Sequence, residues 1–194
     1  MLVFAKEKLV FLAAPKTGTT ALEGALAPHA DVVMRNPPIL KHTPAYRYHL
    51  RLRPYFEVSG LKDLSLVCAL REPVSWLGSW YRYRQRPDLD GAANSTRDVT
   101  FDRFVDEYCK GAPAPFSDTL GYPPKFIRQT DDIIVDHLFQ YEQMDKLVAF
   151  FEERLDVSLN LKQINVSPAG NLDLSAKTEA KLRRKRAQMF DDWE

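Results

Sequence analysis

Apolar residues gather in three short continuous runs, each followed by a polar break and then a helix-like stretch. The first run is KLVFLAA, Lys8 to Ala14; the second is LSLVCAL, Leu64 to Leu70; the third covers Ile133 to Phe139. Runs of this length without polar alternation predict strands buried on both faces. Behind them lie Thr20 to Leu26, then VSWLGSWYRYRQR after Pro73, then MDKLVAFFEERLDV. Apolar spacings of three and four predict helices there, and Pro73 falls where a first helical turn accepts proline. Strands alternating with helices predict an α/β fold, a central parallel sheet flanked by helices. Ligands of such folds sit at the carboxyl ends of the strands.

The intervening segments carry weaker patterns. Residues 31–60 read as irregular, with Pro37, Pro38, Pro44 and Pro54 breaking regular structure. Residues 87–100 read as a polar loop, FDRFVDEYCKG as a short helix ended by Gly111, and GAPAPFSDTLGYPP as loop. The tail from Ser175 to Met189 reads as a basic helix capped by Ser175. There is no internal repeat, and the 194 residues fit a single domain spanning 1–194.

Composition narrows the function classes. The chain is 45% hydrophobic and 27% charged, as ordinary soluble globular proteins are. A net charge of +1 argues against nucleic-acid binding by bulk electrostatics. Of the two cysteines, Cys68 sits inside an apolar run and reads as a reduced core residue, so no disulfide scaffold is expected. No apolar stretch approaches the roughly 18 to 20 residues of a membrane span. MLVFAKEKLVFLAAPK leads into a polar turn with no cleavage site. The expected setting is therefore cytoplasmic, with no membrane partner.

The polar break after the first run carries the sharpest chemistry. AAPKTGTT places Lys16, Thr17, Gly18, Thr19 and Thr20 between a strand and a helix. Such a turn presents backbone N–H groups and hydroxyls at a helix N-terminus, where anions bind. It also satisfies the needs of a plain strand-to-helix turn. A kinase loop of the form G-x-x-x-x-G-K-[ST] would put lysine where Thr19 stands; here the lysine comes three positions earlier, at Lys16. The element is thus a P-loop-like phosphate-binding strand–loop–helix with its cation displaced. After the second run, Arg71 stands at the strand end and Ser79 follows eight residues later. Arginine supplies a planar fork of donors and serine one more, a pair suited to a phosphate.

Together these elements resemble the sulfotransferase family, which uses 3′-phosphoadenosine 5′-phosphosulfate as donor. The family's 5′-phosphosulfate loop, P-K-[ST]-G-T-T, matches Pro15 to Thr20 without a mismatch, and its 3′-phosphate pair of arginine and serine matches Arg71 and Ser79. LFQYEQM, 138–144, is similar to the family's L-F-Y-E-D-M segment with one residue inserted, which implies an adenine contact for Tyr141. The resemblance spans about residues 8–150. It departs at Ala21, where cytosolic members carry an adenine-stacking tryptophan, and in the missing C-terminal R-K-G segment. Asn165 and Ser167, or the basic run LRRKR, are the candidate substitutes; LRRKR reads first as a solvated helix face. The short chain looks like the compact carbohydrate-modifying branch. The lack of that branch's animal membrane anchor implies a bacterial relative.

The resemblance implies transfer of a sulfonate to a hydroxyl-bearing acceptor, with 3′,5′-adenosine bisphosphate as the other product. Lys16 is then the group at the bridging oxygen, and the backbone of Thr17 to Thr20 holds the 5′-phosphate. No His, Cys and acid set has metal-ligand spacing, so no metal is expected. Residues 35–53 hold five Arg or Lys and no acid, which suggests an anionic acceptor, a carbohydrate being one candidate. Lys41, His42, Thr43 and Pro44 give a shortened form of the family's K-T-H-L-P segment, which makes His42 the expected general base and His49 the fallback. Lys41 is expected to help keep His42 neutral. His29 precedes any such segment, and His137 falls inside the third strand.

Two rivals remain at this point. One is a P-loop small-molecule kinase using ATP and Mg²⁺, against which the displaced Lys16 speaks. The other is a non-catalytic module binding an anion or nucleic acid through Arg82, Arg84 and Arg86 with Trp80, Tyr81 and Tyr83. Oligomeric state is not written in the pattern.

Overall fold

The computed structural model describes residues 1–161 and 172–194. In chain order come strands β1 (Leu2–Phe4) and β2 (Leu9–Leu12), helix α1 (Thr19–Leu26) and strand β3 (Val32–Val33). Helices α2 (Pro38–Lys41) and α3 (Ala45–Arg47), a π-helical turn (Tyr48–Leu52) and α4 (Arg53–Val58) lead to β4 (Ser65–Leu70). Helices α5 (Pro73–Tyr83), α6 (Phe101–Tyr108) and α7 (Pro124–Ile127) precede strands β5 (Arg128–Gln129), β6 (Asp132–Ile133) and β7 (His137–Gln140). Helices α8 (Met144–Leu155), α9 (Ala176–Lys185) and α10 (Ala187–Asp191) complete the order.

Two compact units divide the chain: Met1–Arg71 with Pro123–Ile164, and Glu72–Tyr122 with Asn165–Glu194. The first is α/β. Its five-stranded sheet has the order β3-β1-β2-β4-β7. The expected parallel core is present, because β2 pairs β4 and β4 pairs β7 in parallel. The sheet as a whole is mixed: β1 runs antiparallel to both β2 and β3. The strand expected at Lys8 to Ala14 is present as Leu9–Leu12, and it forms a hairpin with β1, which was not expected. The polar residues between Phe4 and Leu9 make the turn, with Lys8 at a left-handed φ of 54°.

Alternation within these strands fills both faces. Leu9, Phe11, Ala13, Val67 and Ala69 pack with Leu22 and Leu26 of α1 and with Leu147 and Phe151 of α8. Phe151 meets Phe11 edge-on at 5.5 Å between centroids, and burying such a ring stabilises by about 1.5–3 kcal/mol. The opposite set, Val10, Leu12, Leu66, Cys68 and Leu70, is buried as well. Cys68 is a free thiol whose burial pushes its pKa up to about 12, as a reduced core residue requires.

Two sequence expectations are corrected here. Residues 31–60 are largely helical. Pro38 and Pro54 fall in the first turns of α2 and α4, and Pro44 stands at the N-cap of α3. Proline is tolerated at those places because the first N–H groups of a helix lack intrahelical acceptors. The third apolar run also divides. Ile133 ends β6, which pairs with β5 in a separate two-stranded sheet, and only His137–Gln140 joins the main one.

In the second unit, Trp76, Leu77 and Tyr81 of α5 pack with Phe101, Phe104 and Val105 of α6, and with Leu182, Met189 and Phe190 of the C-terminal helices. Glu72 caps α5 by accepting from the amides of Val74 and Ser75 at 3.0 and 2.6 Å. Ser175 caps α9, as expected, by accepting from the Thr178 amide.

Candidate functional site

Register brings three strand ends to one edge of the first unit. Leu12 lies opposite Cys68, and Leu70 opposite Gln140, so the residues after β2, β4 and β7 leave the sheet together. The turn after β2 is shaped by two left-handed residues, Lys16 at φ 68° and Gly18 at φ 67°. A lysine there costs roughly 1–2 kcal/mol, which the surrounding structure must offset. The Thr17 hydroxyl is buried and donates to the Ala14 carbonyl at 2.9 Å, so it closes the turn rather than facing outward. Thr19 is buried, while Gly18 and Thr20 are exposed. Gly18 caps α1 with no side-chain hydrogen bond. The leading amides of a helix have no intrahelical acceptor, and its dipole favours an anion there.

Arg71 and Tyr141 close over this turn. The Arg71 guanidinium lies 4.4 Å from the centre of the Tyr141 ring, and its Nη1 donates to the Lys16 carbonyl at 3.3 Å. The ring and the Met144 methyl also crowd Gly18. A Cβ there would stand 3.1 Å from Tyr141 Cε2 and 3.2 Å from Met144 Cε. Glycine is thus favoured at position 18 by its φ, and the ring and methyl make any added Cβ a tight fit. Two segments 70 residues apart, the arginine at a strand end and the tyrosine opening a 3-10 turn after β7, form one stacked pair against the lysine turn. The set combines a planar cation, an aromatic face and a helix N-terminus, a combination suited to an anionic ligand with a flat ring.

His42 reaches the same edge from α2, whose C-cap it forms. Its Nδ1 is 2.6 Å from the carbonyl oxygen of Ala13, the first residue after β2. A carbonyl only accepts, so Nδ1 carries the proton and Nε2 keeps its lone pair. The imidazole pKa is lowered from 6.5, first by burial; the Ala13 hydrogen bond opposes this, and the Lys41 charge lowers it further. Lys41 thus helps to keep His42 neutral, as expected, with burial as the larger cause. Lys41 itself is paired with Glu23 of α1, at 2.8 Å from Nζ to Oε2.

The fallback histidine lies elsewhere. His49 Nε2 is 3.4 Å from the Ile134 carbonyl, and its Nδ1 accepts from Arg53 at 3.3 Å. With Arg53, Asp63, Ser65 and Asp136 it borders an open cleft of ≈ 470 Å³. Ser65 begins β4 and Asp136 precedes β7, so this cleft is at the amino ends of strands whose carboxyl ends carry Arg71 and Tyr141. Six strand residues separate the two edges by roughly 17–20 Å. His137 packs against Phe150 at 4.9 Å between ring centres.

Ser79 is a buried residue of α5, in the second unit. The LRRKR run is largely engaged within that unit: Arg183 pairs with Glu179 at 3.1 Å, and Arg186 donates to the Tyr108 carbonyl at 2.7 Å. Asn165 and Ser167 lie outside the described residues. Among the described residues no group of three or more His, Cys, Asp or Glu is placed to hold a metal ion, and no helix is long and apolar enough to cross a membrane. The chain matches no protein-family model, no curated protein and no solved structure.

Sequence reasoning missed Glu23. Its signal was present: a single acid within TTALEGAL, four residues after Thr19 and therefore on the same helix face. Both residues are buried.

Proposed function

We propose that this protein is a sulfotransferase that moves a sulfonate group from 3′-phosphoadenosine 5′-phosphosulfate to an acceptor hydroxyl, with an anionic carbohydrate as the leading acceptor class. The observation that carries this reading is the contact of Arg71 with both the Lys16 carbonyl and the Tyr141 ring. Three separate sequence elements, each implied by resemblance to contact the same nucleotide, meet there. The residues fit such a donor chemically. The turn amides of Thr17 to Thr20 and the N-terminus of α1 suit the 5′-phosphate, Arg71 suits the 3′-phosphate, and Tyr141 offers a face to the adenine.

When bound, the donor supplies a sulfonate whose bond to the 5′-phosphate oxygen breaks as the acceptor oxygen bonds to sulfur. Lys16 offsets the negative charge left on the phosphate. His42 takes the acceptor proton on Nε2, the nitrogen its Ala13 bond leaves unprotonated. Positioning and charge stabilisation account for most of such a transfer. The parallel β2, β4 and β7 with the turn after β2 then serve as a P-loop-like element whose cation is supplied from Lys16.

Thermal stabilisation tests this directly. At 100 times its Kd a ligand adds roughly 2.7 kcal/mol, so 3′,5′-adenosine bisphosphate should raise Tm clearly, whereas ATP with Mg²⁺ should not. Stabilisation by ATP with Mg²⁺ alone would replace this reading with a kinase.

A further inference from the structure

Residues 34–42 approach the site from outside the sheet, and one residue of α1 gathers them. The Glu23 side chain is buried at 3% exposure. Its Oε2 pairs with Lys41 Nζ at 2.8 Å, and its backbone carbonyl accepts from Arg35 Nη2 at 3.4 Å. Its Oε1 has no hydrogen bond and lies 3.6 Å from the Met1 nitrogen. That nitrogen donates in turn to the Met34 and Lys41 carbonyls at 3.1 and 2.9 Å. Lys41 thus meets the carboxylate directly, Met34 is linked to it through the Met1 nitrogen, Arg35 holds the backbone of the same residue, and His42 follows Lys41 along the chain.

We propose that Glu23 is the positioning residue of His42: through Lys41 it fixes the end of α2 so that the imidazole holds Nδ1 on Ala13 and keeps the lone pair on Nε2. The inference rests on the sulfotransferase reading for its catalytic meaning. Its geometric content stands by itself.

Stability alone does not account for this pair. Removing two charges from water costs about as much as their attraction returns, and an apolar pair of similar size packs at least as well. What the pair provides is a fixed location. Glu23 is five residues past Gly18 on the helix that the turn opens, and Ala13 begins the same turn. The carboxylate and the carbonyl that orient His42 therefore both belong to the rigid strand–turn–helix carrying Lys16. The base and the lysine are held to a common frame.

Electrostatics and positioning predict opposite signs, which makes the test sharp. The charged groups acting on His42 are Lys41, Glu23 and the Met1 amino group. Glu23 as a mere charge raises the imidazole pKa, so its neutralisation would lower that pKa further. Glu23 as the positioning group keeps the ring in its buried place. Its neutralisation would then free the ring and let the pKa rise toward 6.5.

The experiment is nitrogen-15 NMR of the histidine side chains in the full chain, with and without Glu23→Gln, followed from pH 4 to 8. The expected result is an Nδ1–H tautomer and a lowered pKa in the wild type. In Glu23→Gln the pKa should rise and the Nδ1–H tautomer should be lost. An unchanged His42, or one whose pKa falls, overturns the proposal. Should Glu23→Gln not fold, Lys41→Gln breaks the pair from its more accessible side. Its readout is the tautomer alone, because losing a cation raises the pKa under either account; a retained Nδ1–H tautomer overturns the proposal there too. Lys41→Arg should restore the wild-type spectrum. None of these arms needs substrate, so they can fail while bisphosphate binding holds, and succeed while it fails. With turnover in hand, the acid limb of the kcat profile should move with the NMR value, and KM should stay within about twofold.

Discussion

His42 donates from Nδ1 to the carbonyl of Ala13 across 2.6 Å, and this one bond decides which of its nitrogens can do chemistry. The carbonyl belongs to the first residue after β2, so the tautomer of the histidine that caps α2 is set by the chain leaving the sheet. His42→Ala should cut kcat by about 10² to 10⁴, the usual contribution of a general base. Binding of 3′,5′-adenosine bisphosphate should be unchanged in calorimetry. Because burial lowers the imidazole pKa, the ascending limb of the wild-type profile should lie below pH 6.5. Full activity in the variant would remove His42 from the mechanism.

The same shift has a sign for stability. As pH falls through about 6.5 the unfolded chain protonates His42, while the folded chain does not until a lower pH. The unfolded state then binds more protons, so stability falls with falling pH over that interval, by at most about 1.4 kcal/mol per pH unit for one group. Above pH 6.5 the contribution is flat. His42→Gln should flatten the slope between pH 6.5 and 5 in urea titrations. An unaltered slope would mean that the imidazole is not held neutral by burial.

Arg71 should separate nucleotides by their 3′-phosphate. A charge-assisted contact contributes about 1.5 to 3 kcal/mol, so the wild type should prefer 3′,5′-adenosine bisphosphate over 5′-AMP by roughly one to two orders of magnitude in Kd. Arg71→Ala should lose that preference and also release Tyr141, whose ring the guanidinium covers at 4.4 Å. A preserved preference would send the 3′-phosphate to other residues.

Gly18→Ala should damage the site and the fold together. The φ of 67° costs a non-glycine residue roughly 1–2 kcal/mol, and the new Cβ would meet Tyr141 at 3.1 Å. Thermal unfolding should show a loss of at least 1 kcal/mol, and bisphosphate affinity should drop with it. A variant of wild-type stability would mean that the ring and turn are looser than their contact implies.

What could be read from the chain and what could not follow from the range of each interaction. LSLVCAL was legible as a strand because Leu66 to Leu70 are buried without a break and the pattern is local. The turn after β2 was legible because lysine, glycine and three threonines have few reasons to cluster. The helices of residues 38–58 were not, since Pro38, Pro44 and Pro54 break a pattern yet sit where helix starts accept them. β1 was hidden because its three residues and β2 are one hairpin, turned by a left-handed Lys8 that no propensity announces. Arg71 against Tyr141 and Glu23 against Lys41 are contacts made across the fold. The chain shows such residues as candidates but cannot say that they meet.

Lys16 allows chemistry to be separated from backbone strain. Its φ of 68° is costly for any residue with a side chain, so Lys16→Gly removes the ammonium and relieves the turn in a single change. Relief of roughly 1–2 kcal/mol is offset by the greater freedom of glycine in the unfolded chain, about 0.4–1 kcal/mol. Stability should therefore stay level or rise by up to about 1.6 kcal/mol. The Arg71 hydrogen bond should survive, because it is accepted by the backbone carbonyl of residue 16 rather than by its side chain. Turnover should nonetheless fall by orders of magnitude, since the ammonium acts on charge that appears as the donor bond breaks. Lys16→Ala keeps the strain and loses the same ammonium, so it should match Lys16→Gly in kcat while being the less stable of the two. Equal kcat for wild type and Lys16→Gly would show that the lysine only shapes the turn, and a Lys16→Gly protein less stable than Lys16→Ala would show that the left-handed conformation carries no strain.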